Sequence, residues 1–381
     1  MRMFQRGLTA AVGLCITAAI VAPTAGAATF TTLYSFKGTP DGMYPSGDLA
    51  LVNGELYGTT TSGGIANRQN AEGFGTLFQI NITTENETVL YDFKGKGYGP
   101  TGAINIGNHL YGVNYSSHQG PSTTYDFNMS SGRMSIKQAP YYLNIVSPTL
   151  HDGMVYIAEG PVEGTGNGGG VFVFDPKTQA ENNLYAFGGA PDGAIPSTYP
   201  TFSGGLIYGG TLYGGTYNEG TLYQLDPASG KETVLYSFTG KKDGGKPVGK
   251  MAVYKGSLYG TTFNCFGCNQ IPYGTLFKFD LSKNSLSKVY QFTGKDGREP
   301  NAGLILYNGL LYGTTQIGGA NNAGEIYQFD PATKAITVLY SFTGHDDGAY
   351  PDVLSEYGGT FYGVTFNGGA YDHGTVFSFT P

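Results

Sequence analysis

The stretch LYGTTQIGGANNAGEIYQFDP, Leu311 to Pro331, decides the fold of this chain, because near-copies of it recur along the sequence. LYGTTTSGG (Leu56–Gly64) is followed by GFGTLFQIN (Gly73–Asn81). LYGTTFNCFGCNQIPYGTLFKFD (Leu258–Asp280) and FYGVTFNGGAYDHGTVFSF (Phe361–Phe379) repeat the same words in the same order. With the Tyr of L-Y-G as a ruler, copies fall at Tyr57, Tyr111, Tyr213, Tyr259, Tyr312 and Tyr362, with a degenerate one at Tyr156, 45 to 57 residues apart. A second marker, G-T-L-F or a relative, ends at Phe78, Tyr125, Phe172, Tyr223, Phe277, Tyr327 and Phe377. A third, L-Y-S-F, covers Leu33–Phe36, Leu90–Phe93, Leu184–Phe187, Leu235–Phe238, Val289–Phe292 and Leu339–Phe342, with a worn copy expected near Met134–Lys137. Each marker counts to seven.

Each unit resolves into four short strands. In the sixth, GLILY turns at Asn308-Gly309 into LLYGTT, and EIYQFD turns through PATKA into ITVLYSF. An X-Gly pair between apolar runs marks a tight hairpin, whose turn needs positive φ at both central residues. Its counterparts are read at Asn53-Gly54, Asp152-Gly153, Gly209-Gly210, Lys255-Gly256 and Gly358-Gly359. No segment keeps a helical period. Four antiparallel strands every fifty residues or so predict an all-β, seven-bladed β-propeller. The strands are apolar on both faces, which suits blades sandwiched between neighbours. An isolated L-Y-S-F strand at residues 30–36 precedes the first unit, and the seventh unit ends without one. The N-terminal strand is therefore expected to complete the last blade and close the ring, leaving no exposed edge.

Taken together, the LYSF…DG…P…LYGTT..GG…GTLF pattern resembles the GloVer tandem repeat of exported "choice-of-anchor" bacterial proteins. The resemblance covers nearly all of residues 30–381 and implies a propeller and export, with no chemistry attached.

Residues 1–27 read as a signal peptide: Arg2 and Arg6, a short apolar core, then small residues at Ala25 and Ala27. Residues 28–381 are then a single propeller domain, secreted or periplasmic and not membrane-embedded. The chain carries −7; removing two arginines and no acid makes the mature charge −9. Phosphate-backbone binding needs clustered Lys and Arg, so nucleic acid is not an expected partner. A monomer is expected. Cys265 and Cys268 form the C-x-x-C of NCFGCNQ. A zinc site needs two more ligands and a redox motif needs a βαβ unit, so a local disulfide is the expectation.

Two loop types open on one face of such a propeller. The first carries D-G-x-x-P or a relative, placing Asp41, Asp192, Asp243, Asp296 and Asp347 at equivalent points. These carboxylates could ring the channel mouth and hold sugar hydroxyls or Ca²⁺, the one cofactor considered, though one Asp per loop supplies few oxygen ligands. Alternatively Asp-Gly simply makes the turn, the Asp bonding nearby amides. The second type, T-T-x-G-G, has no acid or His at catalytic spacing and reads as a building block. Function is sought where the repeat fails, in units two and three. There Tyr115, His118, Tyr141, Tyr142, Glu159 and Glu163 fall on the loop-rich face. Aromatic rings stack on sugars and carboxylates bond hydroxyls. His118 with Tyr141 or Tyr142 could also move protons in polysaccharide β-elimination. The expectation is a binder of carbohydrate or of an envelope or extracellular protein. A polysaccharide lyase or glycoside hydrolase working in the central funnel is the alternative.

Overall fold

The computed structural model describes residues 28–66, 70–94, 99–114, 123–138, 146–160, 168–263 and 273–381. Among these there is no helix, and the strands form seven antiparallel sheets, each running through four strands from the channel outward. The protein is a seven-bladed β-propeller. Its inner strands are Gly42–Val52, Pro100–Ile106, Thr149–His151, the pair Gly193–Pro196 and Thr201–Ser203, Pro247–Tyr254, Ile305–Tyr307 and Ala349–Tyr357, in blades 1 to 7. In blade 7 the outermost place is taken by Thr29–Ser35, which pairs with the last strand from Thr29↔Thr380 to Ser35↔Thr375. Closure by the N-terminal strand is as the repeat count required.

The hairpin turns have the required backbone: Asn53-Gly54 has φ of 51° and 83°, and Asn308-Gly309 has 49° and 82°. Blade 4 departs from the sequence reading. Its turn is Gly204-Gly205, with φ of 60° and 78°, whereas Gly209 and Gly210 lie inside the second strand, Leu206–Gly214. Tyr208, not Tyr213, is the equivalent of Tyr57 and Tyr312, since it pairs with Gln224 as Tyr57 pairs with Gln79. The sequence IYGGTLYGG offers two Tyr-Gly pairs, and packing selects the first. The Tyr223 ring lies over Gly209, where a Cβ would meet its hydroxyl at 2.1 Å. The same ring-over-glycine contact occurs at Gly58 under Phe78 and at Gly313 under Tyr327.

The blades are joined by aromatic pegs. The Phe of L-Y-S-F meets the last ring of the next blade's G-T-L-F edge-on: Phe36–Phe78, Phe93–Tyr125, Phe187–Tyr223, Phe238–Phe277, Phe292–Tyr327 and Phe342–Phe377, at 5.0 to 5.5 Å between centroids. These rings are buried and supply large apolar areas as well as a favoured edge geometry. Between blades 2 and 3 the outer strand is Arg133–Gln138, which has no aromatic residue. That seam packs instead on Val113, Val155 and Ile157 with Ile104, Ile106 and Phe174.

The T-T pairs also have a defined task. In blades 1, 4, 5 and 7 the second Thr bonds the Thr that opens the next strand of its own blade, while in blade 6 Thr315 faces Glu325 and its hydroxyl has no partner. Thr60–Thr76, Thr211–Thr221, Thr262–Thr275 and Thr365–Thr375 have Oγ–Oγ distances of 2.8 to 2.9 Å. The first Thr reaches a main-chain carbonyl: Thr261 that of Val248 in its own blade, Thr314 that of Asp352 in the next.

Candidate functional site

The Asp of each D-G loop accepts a hydrogen bond from the Tyr of the L-Y-S-F strand before it. Tyr34 donates to Asp41 at 2.9 Å, Tyr185 to Asp192 at 3.0 Å, Tyr236 to Asp243 at 2.9 Å and Tyr340 to Asp347 at 2.8 Å; Tyr290 donates to Asp296. Each carboxylate also accepts a nearby main-chain N–H, such as Lys37 on Asp41 and Thr343 on Asp347, both at 2.9 Å. Burial, and then the bond to Asp243, pushes the Tyr236 phenol up to about 12, so it stays a donor at neutral pH. None of these five Asp residues lines the channel cavities, and no three His, Cys, Asp or Glu side chains gather as a metal site among the described residues.

Glu159 is buried at the end of the second strand of blade 3, in the slot that the second Thr fills elsewhere. Gly170 faces it where blades 1, 2, 4, 5 and 7 place a Thr and blade 6 places Glu325, and the Glu159 carboxyl has an Oε2 with no partner. Burial, with a smaller push from Glu181, raises its pKa to about 8. Tyr115, His118, Tyr141, Tyr142, Glu163, Cys265 and Cys268, and the whole of residues 1–27, lie outside the described residues. Two further histidines are accounted for locally. His109 Nδ1 is 2.6 Å from Asp126, and His151 stacks on Phe202 at 3.7 Å.

The described polar groups that converge are in the central channel. Asp48 of blade 1 and Lys250 of blade 5 form an ion pair across it, although 202 residues separate them. The Tyr199 ring of blade 4 lies 5.1 Å from the Lys250 ammonium, and its hydroxyl bonds Asp48 and Ser147. Burial first, then Asp48 and Asp352, hold this phenol well above its ordinary pKa. Beside it pack Ala302, Val353 and Val146. These groups plug the channel and divide it into two cavities that share Tyr199 as a wall.

The lower cavity, on the hairpin-turn side, has about 560 Å³ and is lined by Leu51, Ile104, Leu150, Ile305, Leu354 and Tyr357 around the Asp48–Lys250 pair. The upper cavity, where the inner strands begin, has about 380 Å³. Its wall alternates polar Ser46, Thr101, Ser147, Ser197, Asn301 and Asp352 with apolar Val146, Pro196, Leu212, Val248 and Val353. Asp352 accepts from Ser46 Oγ at 2.8 Å and from Gly47 N at 3.0 Å. Asn301 donates to Gln316 at 2.8 Å, while its Oδ1 has no partner. Two residues before Ser46, the Tyr44 ring stacks on Phe366 of blade 7 at 5.0 Å, and Phe366 and Tyr371 of the same blade are exposed. No His side chain lines either cavity among the described residues.

Sequence reasoning passed over Asp48, Tyr199, Lys250 and Asp352 because it searched the loops. A signal was present: three residues after the inner-strand Pro stand Asp48, Tyr199 and Lys250, where blades 2 and 6 have Ala103 and Gly303.

Compared with known proteins, residues 146–377 match the family described as the Gloeobacter/Verrucomicrobia repeat, and the chain belongs to that family. No curated protein matches the sequence. Among solved structures, the computationally designed Ika8 protein is 13% identical, over 91% of this chain and 98% of that one, with a TM-score of 0.49. A chain from an analysis of two prolyl endopeptidases is 12% identical with a TM-score of 0.54; 84% of this chain matches 46% of it. A chain of a mitotic checkpoint complex is 10% identical, over 98% of both chains, with a TM-score of 0.59. At these identities the last two likenesses show the fold alone.

Proposed function

We propose that this member of the repeat family is an exported binding protein that takes a carbohydrate at the upper cavity, on the loop-rich face. The observation that carries this reading is the layering of the site. Hydroxyl, amide and carboxylate groups interleave with small apolar residues in the wall, and a stacked Tyr44–Phe366 pair stands two residues above it. Sugars present apolar C–H faces and hydroxyl edges, and this layering offers a ring for the first and donors and acceptors for the second. A volume of about 380 Å³ lies in the range that encloses a small ligand. The carboxylates in the channel are engaged, Asp48 by Lys250 and Asp352 by Ser46 and Gly47. Holding a ligand suits such prearranged groups better than exchanging protons with it.

The test is retention of the purified protein on neutral and acidic polysaccharides, with unsaturated-uronate absorbance read on the same samples. Phe366→Ala and Asp352→Asn should each weaken retention about tenfold, the scale of one stacking or charge-assisted contact. Product formation that disappears in His118→Ala would overturn the reading in favour of a lyase.

A further inference from the structure

We infer that the residue before each inner-strand proline is the specificity position of this site, and that Lys246 and Glu299 set its charge selectivity in opposite senses. The inference rests on the saccharide reading above. In six blades that residue is Tyr44, Gly99, Ile195, Lys246, Glu299 or Tyr350, with φ between 55° and 58° in every case. Left-handed backbone is unfavourable for any L side chain and an outlier for a β-branched one such as Ile195. Strain of this kind persists only where the surroundings fix the backbone. Here they do. The N–H of Tyr44 donates to His373 O at 2.9 Å, that of Lys246 to Glu219 O at 2.7 Å and that of Tyr350 to Ala323 O at 2.9 Å, each in the preceding blade. The proline that follows packs on that blade's G-T glycine: a Cβ on Gly374 would stand 2.5 Å from Pro45 Cδ, and one on Gly324 2.5 Å from Pro351 Cδ. Main chain and proline therefore hold the conformation, and the side chain is left free to be aromatic, aliphatic, cationic or anionic.

These six positions stand at the mouth of the upper cavity. Two residues further on come Ser46, Thr101, Ser197, Val248, Asn301 and Asp352, and all six line it. Five variable side chains and Gly99 thus frame a wall of mixed polar and apolar residues. The frame is also polarised. Adjacent blades 7 and 1 supply Tyr350 and Tyr44, and adjacent blades 5 and 6 supply Lys246 and Glu299. Lys246 rests its ammonium 4.8 Å from the centre of the Tyr213 ring, and no carboxylate pairs with it among the described residues. That differs from Lys250 in the plug, which is bound to Asp48. An unpaired cation at the mouth favours a sugar carboxylate, and the neighbouring Glu299 disfavours it. The aromatic pair on the adjoining blades 7 and 1 can hold the ring face of the same sugar.

The test uses three probes of matched length: oligogalacturonides, cello-oligosaccharides and chitosan oligosaccharides, titrated against the full-length protein by calorimetry. Lys246→Ala should lower the acidic-to-neutral affinity ratio about tenfold, and Glu299→Gln should raise it about threefold, with neutral affinity held within about twofold. Both ratios unmoved, in a wild-type protein that does bind, would overturn the specificity assignment and leave the saccharide reading standing. A wild type that binds none of the three probes would overturn the saccharide reading itself.

Discussion

The seam between blades 6 and 7 and the seam between blades 2 and 3 show what a blade interface needs and what it can lose. At the first, Phe342 meets Phe377 edge-on at 5.4 Å, Tyr340 is tied to Asp347, and Thr365 bonds Thr375 at 2.9 Å within blade 7. At the second, the outer strand has no ring to offer, aliphatic residues fill the joint, and Glu159 sits opposite Gly170 where a Thr pair would be. A narrow cleft of about 20 Å³ opens there between Tyr111, Tyr125, Val155 and Phe174, room for about one water. The pegs, Tyr–Asp ties and Thr pairs are thus separable parts, and a ring of seven tolerates one joint built without them. Native-state hydrogen exchange should show blades 2 and 3 opening at lower free energy than blades 5 to 7, because local stability follows buried contacts.

Five substitutions test that contrast. Phe342→Ala should cost the most, about 3–5 kcal/mol in urea unfolding, as a fully buried ring leaves a cavity that two blades cannot collapse around. Val155→Ala at the other seam should cost about 1–2 kcal/mol. Equal losses would erase the distinction drawn here. Asp347→Ala should follow at about 2–4 kcal/mol, since it strands the Tyr340 hydroxyl and the Thr343 N–H, with saccharide retention unchanged.

Glu159→Gln addresses the other side of the comparison and acts in the opposite direction. The folded protein raises this carboxyl to about 8, against an unfolded value of roughly 4.3, so folding favours its protonated form. The unfolded chain releases the proton first, and the group's cost to stability grows as pH climbs from near 4.3 toward 8. The variant should therefore match the wild type near pH 4 and exceed it by on the order of 4 kcal/mol at pH 8. A difference independent of pH would remove Glu159 from the account. Smallest is Thr262→Val, about 1 kcal/mol by thermal unfolding, for one lost hydroxyl pair and the Thr275 N–H that it accepts.

The fold was legible because the propeller is written seven times. Repetition told Asn308-Gly309 and its counterparts from accidental turns, and the missing final L-Y-S-F announced the closing strand. Blade 4 shows the limit. Tyr208-Gly209 and Tyr213-Gly214 are equally good words, and only the Tyr223 ring lying over Gly209 decides between them. The channel was not legible for a different reason. Asp48 and Lys250 each occur once, in positions where the repeat has no preference, and only ring closure brings blades 1 and 5 face to face. Periodicity finds what every blade shares, while a site on the axis is made from what the blades do not share. The six residues ahead of the prolines fall between these cases: their backbone is repeated and their chemistry is not.

The pairing of Thr29 with Thr380 has a consequence for how the molecule is put together. This joint brings together strands that nearly the whole propeller separates along the sequence, a strongly non-local contact. During synthesis the first strand must wait, unpaired, until every other blade has been made. The same adjacency makes the order of blades arbitrary. Joining residue 380 to residue 29 and reopening the chain at the Lys255-Gly256 turn would leave every blade its four strands. Such a circular permutant moves the waiting strand from blade 7 to blade 5, and its refolding rate would show which joint limits assembly.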